Sequence, residues 1–108
     1  MATVRIESAT ITDWDTFHTV SQQVFGFPDF YGMNMNAWID CLTYVDEDDG
    51  MSRFHLAIDE QIFVEVTDTK ALLNRLPDIV AALVSGTAAV NQRQIQDGKI
   101  PRIALVFC

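Results

Sequence analysis

Short runs of branched aliphatic and aromatic residues recur along the chain, and helical patterns separate them. Residues 3–7 alternate polar and apolar side chains as strands do, and residues 103–107 form an almost continuous apolar run. Such a run is typical of a sheet strand that is covered on both faces. Strands that alternate with helices predict an α/β layer architecture, not a helix bundle or a β-sandwich.

Two further strand-like runs, residues 54–58 and 62–66, lie in the middle of the chain. The short segment between them predicts either a hairpin or two consecutive strands. Residues 54–58 would then add a further strand to the sheet, in a hairpin or as one of two consecutive strands.

Four segments have helical patterns. The first opens after Thr12 and ends near Gly26, the second is capped by Asn34 and runs to about Val45, and two more cover residues 70–76 and about 78–96. Gly86 lies inside the last of these helices, where it predicts a bend or a split. With 108 residues and 49% hydrophobic content, the chain can bury one core, so we expect a single domain over residues 1–108.

The formal net charge of -8 limits the classes of partner. Nucleic acids and anionic membranes are bound through clustered Lys and Arg, so neither is expected as a direct partner. Cys41 and Cys108 lie far apart and form no metal motif, so no metal, cofactor or disulfide is expected. The chain starts without a signal-peptide pattern and has no membrane-spanning run, which predicts a soluble, cytoplasmic protein.

Most of the negative charge lies in one part of the chain. Residues 29–60 contain eight acidic residues and one basic residue, Arg53. A localised negative surface attracts a basic partner and speeds its association. The acidic run at residues 46–49, taken alone, is more typical of a solvated loop than of an interface. Asp40 is the more informative carboxylate, because Tyr31 and Tyr44 are near it in sequence and mixed aromatic and charged groups are typical of an interface centre.

The second helix has two distinct faces. Its apolar residues recur at helical spacing and predict a core-facing side, formed by Met35, Trp38, Ile39, Leu42 and Val45. The polar residues on the other side are Asn36, Asp40, Thr43 and Tyr44. This outward side is where a partner would bind.

Residues 27–43, FPDFYGMNMNAWIDCLT, resemble the signature of the barstar family, the intracellular inhibitors of the ribonuclease barnase. The resemblance implies an α/β domain with a small, mainly parallel sheet and helices packed on it. It also implies that the loop and the second helix block the active site of a basic ribonuclease. The protein would then be the immunity protein of a toxin–antitoxin pair. The alternative is an acidic binding module of the same fold for another basic partner, such as a different nuclease toxin or a regulator.

The resemblance also implies which residues touch the partner. Asp40 matches the dominant acidic residue of the family and would mimic a substrate phosphate. The other implied contact positions are Phe30, Tyr31, Gly32, Asn34, Met35, Asn36, Thr43 and Tyr44. Asn34 has a second possible role as the cap of the helix.

Three positions depart from the family pattern. Asn36 and Met33 stand where the family has acidic residues, and Arg93 and Gln94 lie near the position of an acid on the last long helix. Charge-assisted hydrogen bonds are about twice as strong as neutral ones, so these losses favour a nuclease other than barnase. The acids at residues 46–49, or Asp59 and Glu60, are candidates to supply the missing charge.

Catalysis is not expected. Cys41 follows an acidic residue, which would raise the pKa of its thiol, and a helical Cys is more often a small buried apolar residue than a nucleophile. His18 and His55 have apolar neighbours, and no Gly-rich phosphate loop or metal motif is present.

Overall fold

The computed structural model describes residues 2–47 and 50–108. The strands are β1 (Ala2–Ile6), β2 (Ile62–Val66) and β3 (Ile103–Phe107). They form a parallel three-stranded sheet in the order β1-β2-β3. The helices are α1 (Trp14–Phe25), α2 (Met35–Thr43), α3 (Thr69–Arg75) and α4 (Pro77–Gln96), with a 3-10 turn at Ser8–Thr10. The predicted α/β fold with a small parallel sheet is confirmed.

One face of the sheet is buried and the other is open. Val4 pairs with Val64, which pairs with Leu105, and this row belongs to the face that contributes to the core. The next row, on the opposite face, joins Arg5, Glu65 and Val106. The expectation that residues 103–107 are covered on both faces is therefore wrong. Val106 is 39% exposed, because β3 is an edge strand of a sheet that buries one face.

The predicted strand at residues 54–58 does not form, so the sheet gains no hairpin strand. Both sides of β2 are already paired, by β1 and β3. Residues 54–58 instead run as an irregular segment in which the amide of Leu56 donates to the carbonyl of Val45 at 2.9 Å. Leu56 is buried in the core, so its apolar pattern reflects burial without strand pairing.

Helices α2 and α4 pack closely because Gly86 removes a side chain between them. A Cβ atom at Gly86 would lie 2.8 Å from Met35 Cε and 3.0 Å from Trp38 Cζ3. Helix α4 runs unbroken through this glycine, so the helix is not split there. Trp38 is buried, and its indole nitrogen donates to Ser21 Oγ on α1 at 3.3 Å. These contacts hold α2 in place between α1 and α4.

Candidate partner-binding site

Helix α2 begins at a well-formed cap. The Asn34 side-chain oxygen accepts a hydrogen bond from the Ala37 amide at 2.8 Å, and its side-chain nitrogen donates to the Gly32 carbonyl at 3.1 Å. The cap satisfies a free amide of the first turn and joins the helix to the preceding loop. The structure therefore shows Asn34 in its capping role. A Cβ at Gly32 would lie 3.3 Å from the Asn34 side chain, so a small residue suits the cap.

The side chain of Tyr31 is buried under the loop that precedes α2 and stabilises that loop. Its side chain is 5% exposed, and its hydroxyl lies 2.6 Å from Nδ1 of the buried His18 on α1. The Tyr31 ring also contacts Phe27 at a centroid distance of 4.7 Å. Burial raises the pKa of Tyr31 and lowers the pKa of His18, which favours a neutral pair. Tyr31 therefore departs from the predicted contact set, because its side chain supports the loop and does not reach its surface.

The outward face of α2 is as the sequence predicts. Asn36, Asp40 and Tyr44 are exposed at four-residue steps, and Thr43 is half-buried. Phe30, in the loop before α2, is 76% exposed, and Tyr44, at the end of α2, is 42% exposed. Along the chain, Asp40 thus lies between two exposed aromatic side chains. Met35 is half-buried and faces Gly86, so most of its contact is with the core.

Asp40 is paired within the molecule. Arg93 Nη1 on α4 lies 2.7 Å from Asp40 Oδ1, and it also donates to Thr43 Oγ1 at 3.3 Å. About half of each charged side chain is exposed, 47% for Arg93 and 55% for Asp40. Because solvent screens such pairs, we expect this one to be weak and readily opened.

An open cleft of about 650 Å³ lies beside this pair, between the C-terminal ends of α2 and α4. Its lining includes Asp40, Tyr44, Glu47, Arg93 and Asp97. Acidic groups outnumber basic ones along the cleft. The cleft is wide enough to receive side chains of a partner that contacts the outward face of α2.

Asp46 also lines the cleft, but its carboxylate is committed to a structural network. It lies 2.7 Å from Lys99 Nζ and 3.4 Å from Nη2 of Arg102, whose side chain is 1% exposed. Arg102 also donates to the backbone carbonyls of Ala57 and Glu60 at 2.8 and 3.0 Å. This network joins the segment before β2 to the start of β3.

The protonation of this network follows from its contacts. Burial alone raises the pKa of Asp46, but hydrogen bonds from Lys99 and Gln94 outweigh it and hold the pKa below its ordinary value. The same hydrogen bond to Asp46 raises the pKa of Lys99. Both groups are charged at neutral pH, so Asp46 does not provide a free negative charge.

The other proposed sources of charge lie elsewhere. Asp59 and Glu60 line a separate depression beside Gln61 and Phe63. Asp48 and Asp49 fall outside the described residues. Among the acids that the structure describes near Asp40, Glu47 and Asp97 are the exposed ones, and sequence reasoning did not select Asp97.

Cys41 lies on the inner side of α2. It is buried, and burial, followed by the charge of Asp40, raises the pKa of its thiol to about 11. A thiol with that pKa is protonated at neutral pH and is a poor nucleophile. Over residues 2–47 and 50–108, no group of three His, Cys, Asp or Glu side chains could hold a metal ion. In the same part of the chain, no helix is long and apolar enough to cross a membrane.

Comparison with known proteins identifies the family of the chain. A family model described as Barstar (barnase inhibitor) matches residues 1–106. The chain belongs to the barstar family. A search of curated proteins gives no match. The barstar family is an inhibitor family. The match includes β1, β2, α2 and α4, so the evidence for membership extends well beyond the signature at residues 27–43.

The three departures from the barstar pattern can now be placed in the structure. Asn36 is exposed on the outward face of α2, one turn before Asp40. Met33 is 39% exposed and has a positive φ of 55°, in the loop before the cap. Arg93 is in contact with Asp40 itself. Asn36, Met33 and Arg93 therefore lie on or next to one surface, and none of them carries a negative charge.

Proposed function

We propose that this protein inhibits a basic ribonuclease by placing α2 and the loop before it in the enzyme's active site. The observation that carries the proposal is the outward face of α2, where Asp40 is exposed between the exposed aromatic residues Phe30 and Tyr44. Membership of the barstar family supports the same role. We further propose that the protein acts in the cytoplasm as the immunity partner of a nuclease toxin.

Asp40 would act as a mimic of the substrate phosphate. A ribonuclease binds phosphate through converging cationic side chains, and a carboxylate that enters such a site makes charge-assisted hydrogen bonds. Phe30 and Tyr44 would then bury apolar surface on either side of the carboxylate. Inhibition would be steric and electrostatic, with no covalent step.

The rigid support of α2 favours tight binding. Trp38 and Leu42 are buried on its inner face, and Asn34 caps its first turn. Because a preformed helix loses little conformational entropy on binding, more of the contact energy remains as affinity.

The test is capture of nucleases from lysates with the immobilised protein, followed by assay of the captured enzyme for RNase activity. We expect the wild-type protein to abolish that activity and Asp40→Ala to weaken the complex by about 2–5 kcal/mol. Barnase and barstar are themselves the standard example behind this scale, so the figure is carried over from the family.

Asp78→Ala is the matched control. It removes one exposed carboxylate from the first turn of α4, and 15 residues of helix, about 22 Å, separate it from Arg93. We expect Asp78→Ala to bind as the wild type does. An Asp40→Ala complex as tight as the control complex would contradict the role given to Asp40.

A second candidate is an acidic module of the same fold for a basic partner other than a ribonuclease. The absence of the acids that the family has at Asn36, at Met33 and near Arg93 and Gln94 favours it, because the surface departs from the pattern suited to barnase. The capture experiment separates the two. A captured partner that is a DNase or has no nuclease activity would support the second candidate.

A further inference from the structure

The contact between Arg93 and Asp40 determines what the surface of α2 can bind. Nη1 of the Arg93 guanidinium donates to Asp40 Oδ1 at 2.7 Å and to Thr43 Oγ1 at 3.3 Å. Both are residues of the outward face of α2. A partner's cation that needs Asp40 must therefore compete with a cation that the protein already holds there.

We propose that Arg93 is an internal competitor for Asp40 that raises the threshold for binding of any cationic partner at this carboxylate. Every cationic ligand that uses Asp40 must first displace Arg93 or share the carboxylate with it. Ligands that displace Arg93 all lose affinity by the same factor, as for any competing internal equilibrium. A single Lys or Arg on an ordinary basic protein then binds too weakly to be retained, whereas several converging cations still bind.

The geometry makes this competition reversible. Arg93 and Asp40 are on different helices, and both side chains are about half exposed, so water can replace either partner. A buried pair would be costly to open, whereas an exposed pair is worth little. Asp46 differs in this respect, because its side chain is 10% exposed and it is held by both Lys99 and Arg102.

The inference rests on the proposed function only in taking Asp40 as the carboxylate that meets the partner, and its test needs no nuclease. The probe is a hexa-arginine peptide, titrated into the wild-type protein and into Arg93→Gln. We expect the variant to bind the peptide roughly two- to fivefold more tightly, which is the range that the strength of an exposed ion pair gives. Arg93→Lys keeps the charge, and we expect its affinity to stay close to that of the wild type.

Arg5→Gln is the matched control. Arg5 also forms an exposed ion pair, 2.8 Å from Glu7, and it lies on β1. Its substitution removes the same charge from another part of the surface. The gain from Arg93→Gln must exceed the gain from Arg5→Gln, and it must disappear when Asp40→Asn is added.

Each other result overturns the inference. Equal affinities for Arg93→Gln and Arg5→Gln would show a general effect of net charge. A gain that persists with Asp40→Asn would show that Arg93 does not act through Asp40, and the absence of binding by every variant would show that release of Asp40 creates no site. Whether the wild-type protein inhibits its captured nuclease is a separate measurement, which tests the proposed function alone.

Discussion

Asp46→Asn is expected to destabilise the protein strongly, although Asp46 belongs to an acidic run that resembles a solvated loop. The substitution leaves the shape of the side chain almost unchanged and removes its charge. Among the residues that the structure describes, Arg102, which is 1% exposed, would then keep neutral acceptors, including the carbonyls of Ala57 and Glu60.

The size of the effect follows from these contacts. Breaking a buried ion pair costs about 3–5 kcal/mol when the remaining charge is uncompensated. The neutral acceptors of Arg102 reduce that loss, and hydrogen bonds to charged groups are each worth about 1.5–3 kcal/mol. We therefore expect the free energy of unfolding to fall by about 2–3 kcal/mol, and the midpoint of thermal unfolding to fall by roughly 10–20 °C.

The assay is urea unfolding monitored by circular dichroism, with Asp97→Asn as the control. Asp97 also pairs with Lys99, at 3.2 Å, but its side chain is 72% exposed. We expect the control to lose less than about 0.5 kcal/mol. Equal losses in the two variants, or a loss below about 1 kcal/mol for Asp46→Asn, would refute the reasoning from burial.

The same variant makes a prediction about pH. The folded pKa of Asp46 lies below its ordinary value of 3.8, so its contribution to stability is present above that value and disappears as the pH falls through the folded pKa. The stability difference between wild type and Asp46→Asn should therefore shrink on acidification below pH 3.8. A constant difference at all pH values would show that the carboxylate charge is not responsible.

Three further predictions concern the elements around α2. Burial lowers the pKa of His18 from 6.5, so wild-type stability should fall as the pH drops through 6.5 toward the folded pKa. His18→Gln should flatten that part of the curve of stability against pH. The same pH dependence in the wild type and in His18→Gln would contradict the assignment to His18. Gly86→Ala should reduce the free energy of unfolding by roughly 1 kcal/mol, because the steric clash of the new Cβ with Trp38 outweighs the better helix propensity of Ala. A stabilised variant would show that α2 moves easily to make room for the methyl group. Association with the captured nuclease, measured by stopped flow, should slow as salt is added, and a rate independent of salt would contradict attraction by residues 29–60.

The elements that the sequence predicts well are those whose pattern is local. The two faces of α2 can be read from helical spacing, because burial of Trp38 and Leu42 on one side leaves Asp40 on the other. The role of Asn34 as a cap also depends on neighbours within three residues. Family membership is likewise visible in the contiguous signature at residues 27–43.

The errors concern contacts between distant parts of the chain. Residues 54–58 have the composition of a strand, but β1 and β3 already occupy both sides of β2. A glycine inside a helical segment is typical of a helix break, but the close approach of Trp38 explains Gly86 within a continuous helix. Tyr31 belongs to the family signature, yet its hydrogen bond to His18 places it beneath the surface.

By itself, the sequence determined the α/β class, the family, the helix that carries Asp40 and the negative charge of residues 29–60. These properties depend on spacing and composition within short segments. Only the tertiary structure decided which of these acidic side chains form ion pairs within the protein. Asp40 meets Arg93 across 53 residues, and Asp46 meets Lys99 across the same separation. Ion pairs of this kind depend on how α2 packs against α4 and the start of β3, and no local pattern records that packing.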